Sequence, residues 1–283
     1  MSIAPEPSLQ PARTYLFVPA DRPERFAKAL ASAADRVVID LEDAVAPANK
    51  ALARAALQDW LAGASTAVRQ RLVVRINDEQ TAYFDADLAL LLAGQVLATM
   101  LPKCERAGSI ARLRAACPEI AVLALIESAR GVLAAPELAA TPGVQRLVFG
   151  TVDFALEMDL SGDPVGFDFA AAQLALASRA TGIAAPVAGV TTAIDDEALL
   201  RTELARARAH GFSAKLCIHP RQVDAVHAAL APSAAELDWA RRVVAASAAA
   251  QGAAVQLDGR MVDKPVLLRA LALLARAADC VTD

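Results

Sequence analysis

The sequence predicts an α/β chain folded as a (β/α)8 TIM barrel with a C-terminal helical and lid extension. Three observations predict it. Eight short apolar runs alternate with helical patterns along most of the 283 residues, a length that suits one such barrel. Several of these runs end on a charged residue. No GxGxxG follows the first run, which disfavours an open dinucleotide-binding sheet. The expected organisation is a tail over 1–13, a catalytic barrel over 14–230 and a helical extension with a lid over 231–283.

The first strand is expected at Thr14–Val18 (TYLFV), closed by Pro19. Asp21, Pro23 and Glu24 read as a helix start, with Asp21 as cap, and the helix runs through Phe26 to about Ala34. Strand two is Arg36–Asp40 (RVVID), followed by Leu41, Glu42 and Asp43. An Ala- and Leu-rich helix covers Lys50–Ala62. Strand three is Arg71–Ile76 (RLVVRI), with Arg75 near its end. Helix Asp85–Ala93 leads to strand four, Leu97–Leu101, and then Pro102 and Lys103. Helix Gly108–Ala116 leads to strand five, Ala121–Ile126, with Glu127 directly after it. Strand six is Arg146–Gly150, and Asp153 follows it. Helix Phe169–Thr181, a weak strand Ala184–Val190, helix Asp195–His210 and strand Ala214–Ile218 complete eight strands. Beyond them come a helix near Ser233–Ala250, an irregular stretch Leu257–Pro265 and a last helix to about Ala278. A barrel closes without these residues, so they are expected to cap, dimerise or cover something.

Composition removes several function classes. Net charge is −4 and aromatic residues make up 4%, with no basic tail, so no nucleic-acid partner is expected. The opening MSIAPEPSLQPAR has neither a charged n-region nor an apolar core, so no secretory signal is expected. No apolar run reaches the roughly 18 residues of a membrane span. Cys104, Cys117, Cys217 and Cys280 are scattered without a CxxC pair, which fits reduced thiols in the cytoplasm. His210, His219 and His227 follow no zinc spacing.

Function is expected where the charges gather. Glu127 and Asp153 lie about one strand–helix–strand repeat apart. In a parallel fold that spacing brings both to the C-terminal edge of neighbouring strands, where such folds keep their chemistry. Two carboxylates with room for water suit Mg2+, a hard ion that takes few protein ligands. The plainer alternative makes Glu127 a helix cap and Asp153 a loop residue. Asp40, Glu42, Asp43, Arg75 and Lys103 sit at the intervening strand ends. Five consecutive strands delivering charge to one rim point to an active site, because buried charges are costly unless paired or bound. A cation with Arg75 would hold an anionic, oxygen-rich substrate.

The segments YLFVPADRPERF, VIDLEDAV, LVVRIND, MLPKCE, ALIESARG, LVFGTVDF, GFSAKLCIHPRQV and DGRMVDKP resemble the citrate lyase β-subunit-like branch of the HpcH/HpaI aldolase family. The resemblance runs from about Thr14 to Pro265. It implies a TIM barrel, Mg2+, and cleavage or formation of a C–C bond in 3-hydroxyacyl-CoA thioesters such as citryl-, malyl- or citramalyl-CoA. It further implies a homotrimer or trimer-based hexamer. By position it makes Glu127 and Asp153 the metal ligands. Arg75 would contact the reacting oxygens, and Glu42 and Asp43 would order the metal's waters. Asp263 matches an acid supplied from a C-terminal lid, usually to a neighbouring subunit. Two positions depart from the pattern. Ala20 stands where members often have Gly, and Ala188 where many have Asp, which bears on how the acyl group and CoA are held.

The implied chemistry needs these residue types. The substrate's β-hydroxyl loses a proton, the Cα–Cβ bond breaks, and an oxo acid leaves with an acetyl-CoA enolate. A fixed Arg75 stabilises the enolate oxygen, and Asp263 acts as general acid/base from a lid that excludes water. Arg22, at a helix start, is a candidate for substrate or CoA phosphate. Lys103 is the Schiff-base alternative of metal-free aldolases, with a salt bridge to the rim acids as its plainer role. His219 is expected to pack beneath the rim. Three other functions compete: a metal-dependent aldolase for free 2-hydroxy or 2-oxo acids, a malyl-CoA-type thioesterase, and a β-like subunit acting only inside a multiprotein lyase. The free-acid branch uses a histidine from early in its barrel, and here the first histidine is His210.

Overall fold

A computed structural model describes residues 12–251 and 253–279. In chain order the elements are β1 (Thr14–Pro19), α1 (Phe26–Leu30), β2 (Arg36–Asp40), α2 (Lys50–Ala62), α3 (Thr66–Arg71) and β3 (Leu72–Arg75). Then come α4 (Phe84–Ala93), β4 (Ala98–Leu101), α5 (Ala107–Ala116), β5 (Ala121–Ile126), α6 (Ala129–Ala140) and β6 (Val144–Phe149). Next are α7 (Thr151–Glu157), α8 (Asp168–Thr181), β7 (Ala184–Ala188), α9 (Glu197–Ala209), β8 (Ala214–Cys217) and α10 (Arg221–Leu230). The chain ends with α11 (Ala234–Ala249), β9 (Val255–Leu257), β10 (Arg260–Val262) and α12 (Lys264–Asp279).

Strands β1 to β8 pair in sequence order and close into one barrel, with β1 parallel to both β2 and β8. The expected (β/α)8 barrel is therefore present. Side chains alternate across each strand. One set, including Tyr15, Val38, Val73, Met100, Leu123, Leu125, Val148, Val187 and Leu216, packs as a core inside the barrel. The other set, including Leu16, Val37, Val74 and Leu147, is equally buried. Burial on both faces is why these strands read as continuous apolar runs.

Contacts divide the chain into two compact units, with the boundary between Ala229 and Leu230. The second has its own small core of Ala240, Val243, Val262, Ala270 and Leu273. Its helix α11 starts with a full capping box between Ser233 and Glu236.

Several local expectations need correction. Asp21 caps nothing. A 3-10 turn, Pro23–Arg25, precedes a five-residue α1, and neither start has a side-chain cap. A helix this short builds little dipole, so the anion site expected at Arg22 has no helix to support it. Strand three begins at Leu72, because Arg71 closes α3, a helix capped by Ser65. The stretch Leu257–Pro265 is not irregular. Asp258 and Gly259 both have positive φ and join β9 to β10 as a two-residue hairpin, the conformation that an Asp-Gly pair favours. Helices α6, α7 and α10 add to the pattern, and α7 takes Asp153 out of a loop into its first turn.

Candidate active site

The C-terminal mouth of the barrel holds the expected charges. Asp40 ends β2 on the side that continues the interior set. Its Oδ1 accepts the Arg75 Nε–H at 2.7 Å and the Glu42 amide at 2.9 Å, and its Oδ2 accepts Arg75 Nη2 and the Ala44 amide. This carboxylate is saturated, and it fixes the guanidinium by a two-point fork. Arg75 lies over the Phe17 ring, 4.9 Å from its centroid. Burial opposes its charge, but Asp40, Glu42 and Asp43 outweigh burial and raise its pKa.

Glu42 is less well provided for. Its Oε2 lies 2.9 Å from Arg75 Nη1. The contact has ion-pair distance without hydrogen-bond alignment, so the buried oxygen has no donor. Burial pushes the Glu42 carboxyl up to about 7, against the pull of Arg75 and with the help of Asp43 and Asp40. Asp43 stands at the edge, exposed, 3.9 Å from Arg75 Nη1.

Glu127 follows β5 directly and is 4% exposed. It caps no helix. Ser128 does so, accepting the Gly131 amide. The backbone N–H of Lys103 donates to Glu127 Oε1 at 2.8 Å, from a residue held at positive φ. Burial pushes the Glu127 carboxyl up to about 8, and Glu42 and Asp153 add to the shift. Gly150 makes room for it. A Cβ there would stand 2.5 Å from Glu127 Cβ and 2.7 Å from Oε2. Asp153 is half-buried in the first turn of α7, where a helix favours negative charge.

These positions fit a divalent cation. Two carboxylates raised by burial and by neighbouring acids, one orphaned oxygen and an adjacent acid ask for positive charge that Arg75, committed to Asp40, only partly supplies. Among the described residues no three acidic, histidine or cysteine side chains form a complete cage.

The remaining candidates divide. Lys103 is half-exposed, with Nζ 3.8 Å from Glu42 Oε1. Burial lowers its pKa, but Glu42, Asp43 and Glu127 reverse this and raise it. An ammonium held charged by acids is no Schiff-base nucleophile. Arg22 is exposed and, among the described residues, pairs with Asp21 at 4.0 Å. Asp263 belongs to the second unit, where Oδ1 accepts the Val266 amide at the start of α12. His219 Nδ1 accepts the Arg221 amide at the start of α10, and His210 at the end of α9 pairs with Asp168.

Ala188 lies away from the rim charges described above. It registers with Lys215, on the face opposite Val187 and hence toward the helix layer. The buried Lys215 there donates to Gly189 O at 2.9 Å and lies 3.5 Å from Glu203 Oε2. Glu203 on α9 thus supplies a countercharge on the face where Ala188 has none. Ala20 is fully buried, and its amide bonds to Asp40 O.

The sequence places Asp40 on the charged rim without assigning it the clamp on Arg75, and it assigns no role to Gly150 or Lys50. For Asp40 and Gly150 the available signal was position, at a strand end on the interior parity.

Comparison with known proteins identifies the family. A family model described as HpcH/HpaI aldolase/citrate lyase matches residues 13–220. A second, a C–C bond lyase of the TIM-barrel fold, matches 170–278. The chain is 40% identical over 276 residues to a citrate lyase subunit beta-like protein of Mycobacterium tuberculosis, covering 95% of this chain and 97% of that one. It is 36% identical to a (3S)-malyl-CoA thioesterase of Cereibacter sphaeroides, covering 94% and 95%. It superposes with TM-score 0.85 and 39% identity on the crystal structure of CitE from Mycobacterium tuberculosis in complex with magnesium, acetoacetate and coenzyme A, covering 95% and 99%.

Proposed function

The chain belongs to the HpcH/HpaI aldolase/citrate lyase family, and from that premise we propose that it is a Mg2+-dependent carbon–carbon lyase for a 3-hydroxyacyl-CoA thioester. The substrate is of the citryl-, malyl- or citramalyl-CoA type. The products are acetyl-CoA and an oxo acid, or the reaction runs as the reverse condensation. The observation that carries this reading is the Glu127 carboxylate. It is buried at the mouth beside Asp153 and Glu42, raised to about 8 by burial, with Gly150 leaving its space open.

Glu127 and Asp153 would hold the metal, and Glu42 and Asp43 would order the water around it. Bound there, Mg2+ supplies Lewis-acid stabilisation for the substrate's hydroxyl and carboxylate oxygens. Arg75 is aimed by Asp40 before substrate arrives, and its Nη1 keeps donor capacity, since only ion pairs engage it. It stabilises the thioester enolate oxygen as the Cα–Cβ bond breaks. Asp263 returns a proton to the enolate carbon, or removes it in condensation, from the C-terminal unit of a second copy. Its Oδ2 accepts no hydrogen bond among the described residues. Arg22 and Lys103 offer positive charge to the anionic groups of the thioester.

The enzyme is read as a cytoplasmic homotrimer or trimer-based hexamer. Support for the compartment comes from the thiols of Cys104, Cys117 and Cys217, all buried and free, with Cys104 and Cys217 pushed up to about 12 by burial. No helix among the described residues is long and apolar enough to cross a membrane. The free-acid aldolase is disfavoured by its missing histidine: His210 is occupied by Asp168 at the end of α9, outside the acid cluster.

The test uses the purified chain alone with Mg2+ and each thioester in turn. Acetyl-CoA and oxo acid released together, and lost on chelation, are the expected result. Free CoA without an acetyl-CoA intermediate would replace the lyase with a thioesterase, the activity named for the Cereibacter relative. Turnover only after a partner subunit is added would make the chain a dependent component.

A further inference from the structure

Lys50 occupies a place where a lysine is hard to accommodate. It is the first residue of α2, where the helix dipole disfavours a cation. It is also only 6% exposed, on the face of α2 that buries Ala53, Leu57 and Leu61. Burial accordingly lowers its pKa, against the attraction of Asp40 and Glu42. Both costs are offset by one set of contacts. Nζ donates to Leu41 O at 2.8 Å and to Glu42 O at 2.9 Å, and the Tyr83 ring lies 5.3 Å away.

The Glu42 backbone is therefore pinned from both ends by buried charges of opposite sign. Asp40 Oδ1 accepts its N–H, and Lys50 Nζ holds its C=O. Asp40 is also the carboxylate that clamps Arg75. We propose that Lys50 is a positioning residue for the proposed reaction: by holding the Leu41 and Glu42 carbonyls, it aims the Glu42 carboxylate at the site formed by Arg75, Glu127 and Asp153.

A nearby contact set separates this role from simple support. Arg54 lies one turn along α2 and bonds Asp87 at 3.0 Å. Asp87 Oδ2 in turn accepts the Asn77 amide and side chain. Arg54 thus ties α2 to α4 without touching Glu42.

This inference rests on reading the mouth as a Mg2+ site, so its test reads the metal apart from turnover. Lys50→Met, Lys50→Arg and Arg54→Met are compared with wild type by calorimetric titration of Mg2+ into metal-free protein, by melting temperature, and by kcat and KM for the thioester that wild type turns over. Lys50→Met is expected to weaken Mg2+ about tenfold, the lower end of the effect of groups that orient metal ligands, and to lower kcat with KM little changed. Lys50→Arg, which keeps charge and donors, is expected to recover most of the affinity. Arg54→Met is expected to lower only the melting temperature. Lys50→Met with wild-type Mg2+ affinity and a reduced melting temperature, like Arg54→Met, would overturn the proposal. If Lys50→Met does not fold, Lys50→Gln carries the same comparison. A wild type that binds Mg2+ but cleaves no thioester would sink the lyase reading and leave this proposal to the affinity ratio.

Discussion

The two ends of the barrel bury charge in opposite ways. At the N-terminal floor the buried or half-buried ions Arg146, Arg71 and Asp35 are satisfied by the chain itself. Arg146, 3% exposed, donates to Ala185 O, Ala12 O, Tyr15 Oη and Ser213 Oγ. Arg71 caps the carbonyls of Leu30, Ser32 and Ala34. Asp35 accepts the amides of Arg13 and Thr14 and pairs with His227 at 3.4 Å. At the C-terminal mouth Asp40 is equally saturated, but Glu42 and Glu127 are not. Burial holds both carboxyls well above their usual range, and Glu42 Oε2 has no donor. The floor's charges are part of the folded state's stability. The mouth's charges are the ones to which the proposed reaction assigns a metal and a substrate. The same kind of substitution should therefore act on stability at one end and on binding at the other.

The largest effect is expected at the mouth. Asp153→Ala should abolish Mg2+ binding and lower kcat by about 10³-fold, several kcal/mol of transition-state stabilisation, with a melting temperature near wild type. Calorimetric titration and thermal melting check this together. A mutant that still binds Mg2+ as wild type does would erase the contrast between the two ends.

Next comes the floor. Arg146→Met leaves four acceptors, two of them buried, without their donor and should cost about 3–5 kcal/mol in denaturant unfolding. Metal affinity of the folded fraction should be unchanged. A large loss of Mg2+ affinity would mean that the floor is coupled to the mouth.

Gly150→Ala sharpens the comparison by changing space alone. The Gly150 backbone has φ −82, which alanine tolerates, so the added methyl acts chiefly on Glu127, with Leu125 Cδ1 the next atom at 3.3 Å. Mg2+ affinity should fall about 10–100-fold. An unchanged affinity would show that Glu127 moves freely.

Asp35→Asn tests the floor through pH. Burial pushes the Asp35 carboxyl up, but His227 and the Arg13 and Thr14 amides outweigh burial and hold it at about 2. Its folded pKa lies below its unfolded one, so the stabilisation is complete above about pH 4 and is lost as pH falls from about 4 to about 2. Asp35→Asn should cost about 2 kcal/mol at neutral pH and less in acid, where wild type loses the same contribution. A constant difference between the two unfolding curves across that window would remove the charge from the explanation.

The smallest effect is expected from Ala188→Asp. The new carboxylate would sit beside Lys215 in the helix layer, so stability should change by less than about 1 kcal/mol and the preferred thioester should not change. A switch of acyl preference would return Ala188 to the pocket.

The sequence by itself determined the order of the elements and which strand ends carry charge. Helix and strand periods are local, so Lys50–Ala62 and Ala121–Ile126 were legible to the residue, as was the acid placed directly after β5. Shorter signals were passed over. Asp258-Gly259 marked a hairpin, and Lys50 stood on the apolar stripe of α2. What only the tertiary structure decided was which charges meet and which stay unmet. Arg75 goes to Asp40, Ala188 faces Lys215, and Arg146 collects Ala12, Tyr15, Ala185 and Ser213. Those partners are far apart in the chain: Asp40 meets Arg75 where β2 pairs with β3, Ala188 meets Lys215 where β7 pairs with β8, and Arg146 reaches Ala12 and Tyr15 across the closed barrel. The physical reason is that an ion pair or hydrogen bond depends on distances of a few ångströms that no sequence spacing encodes until the barrel is shut.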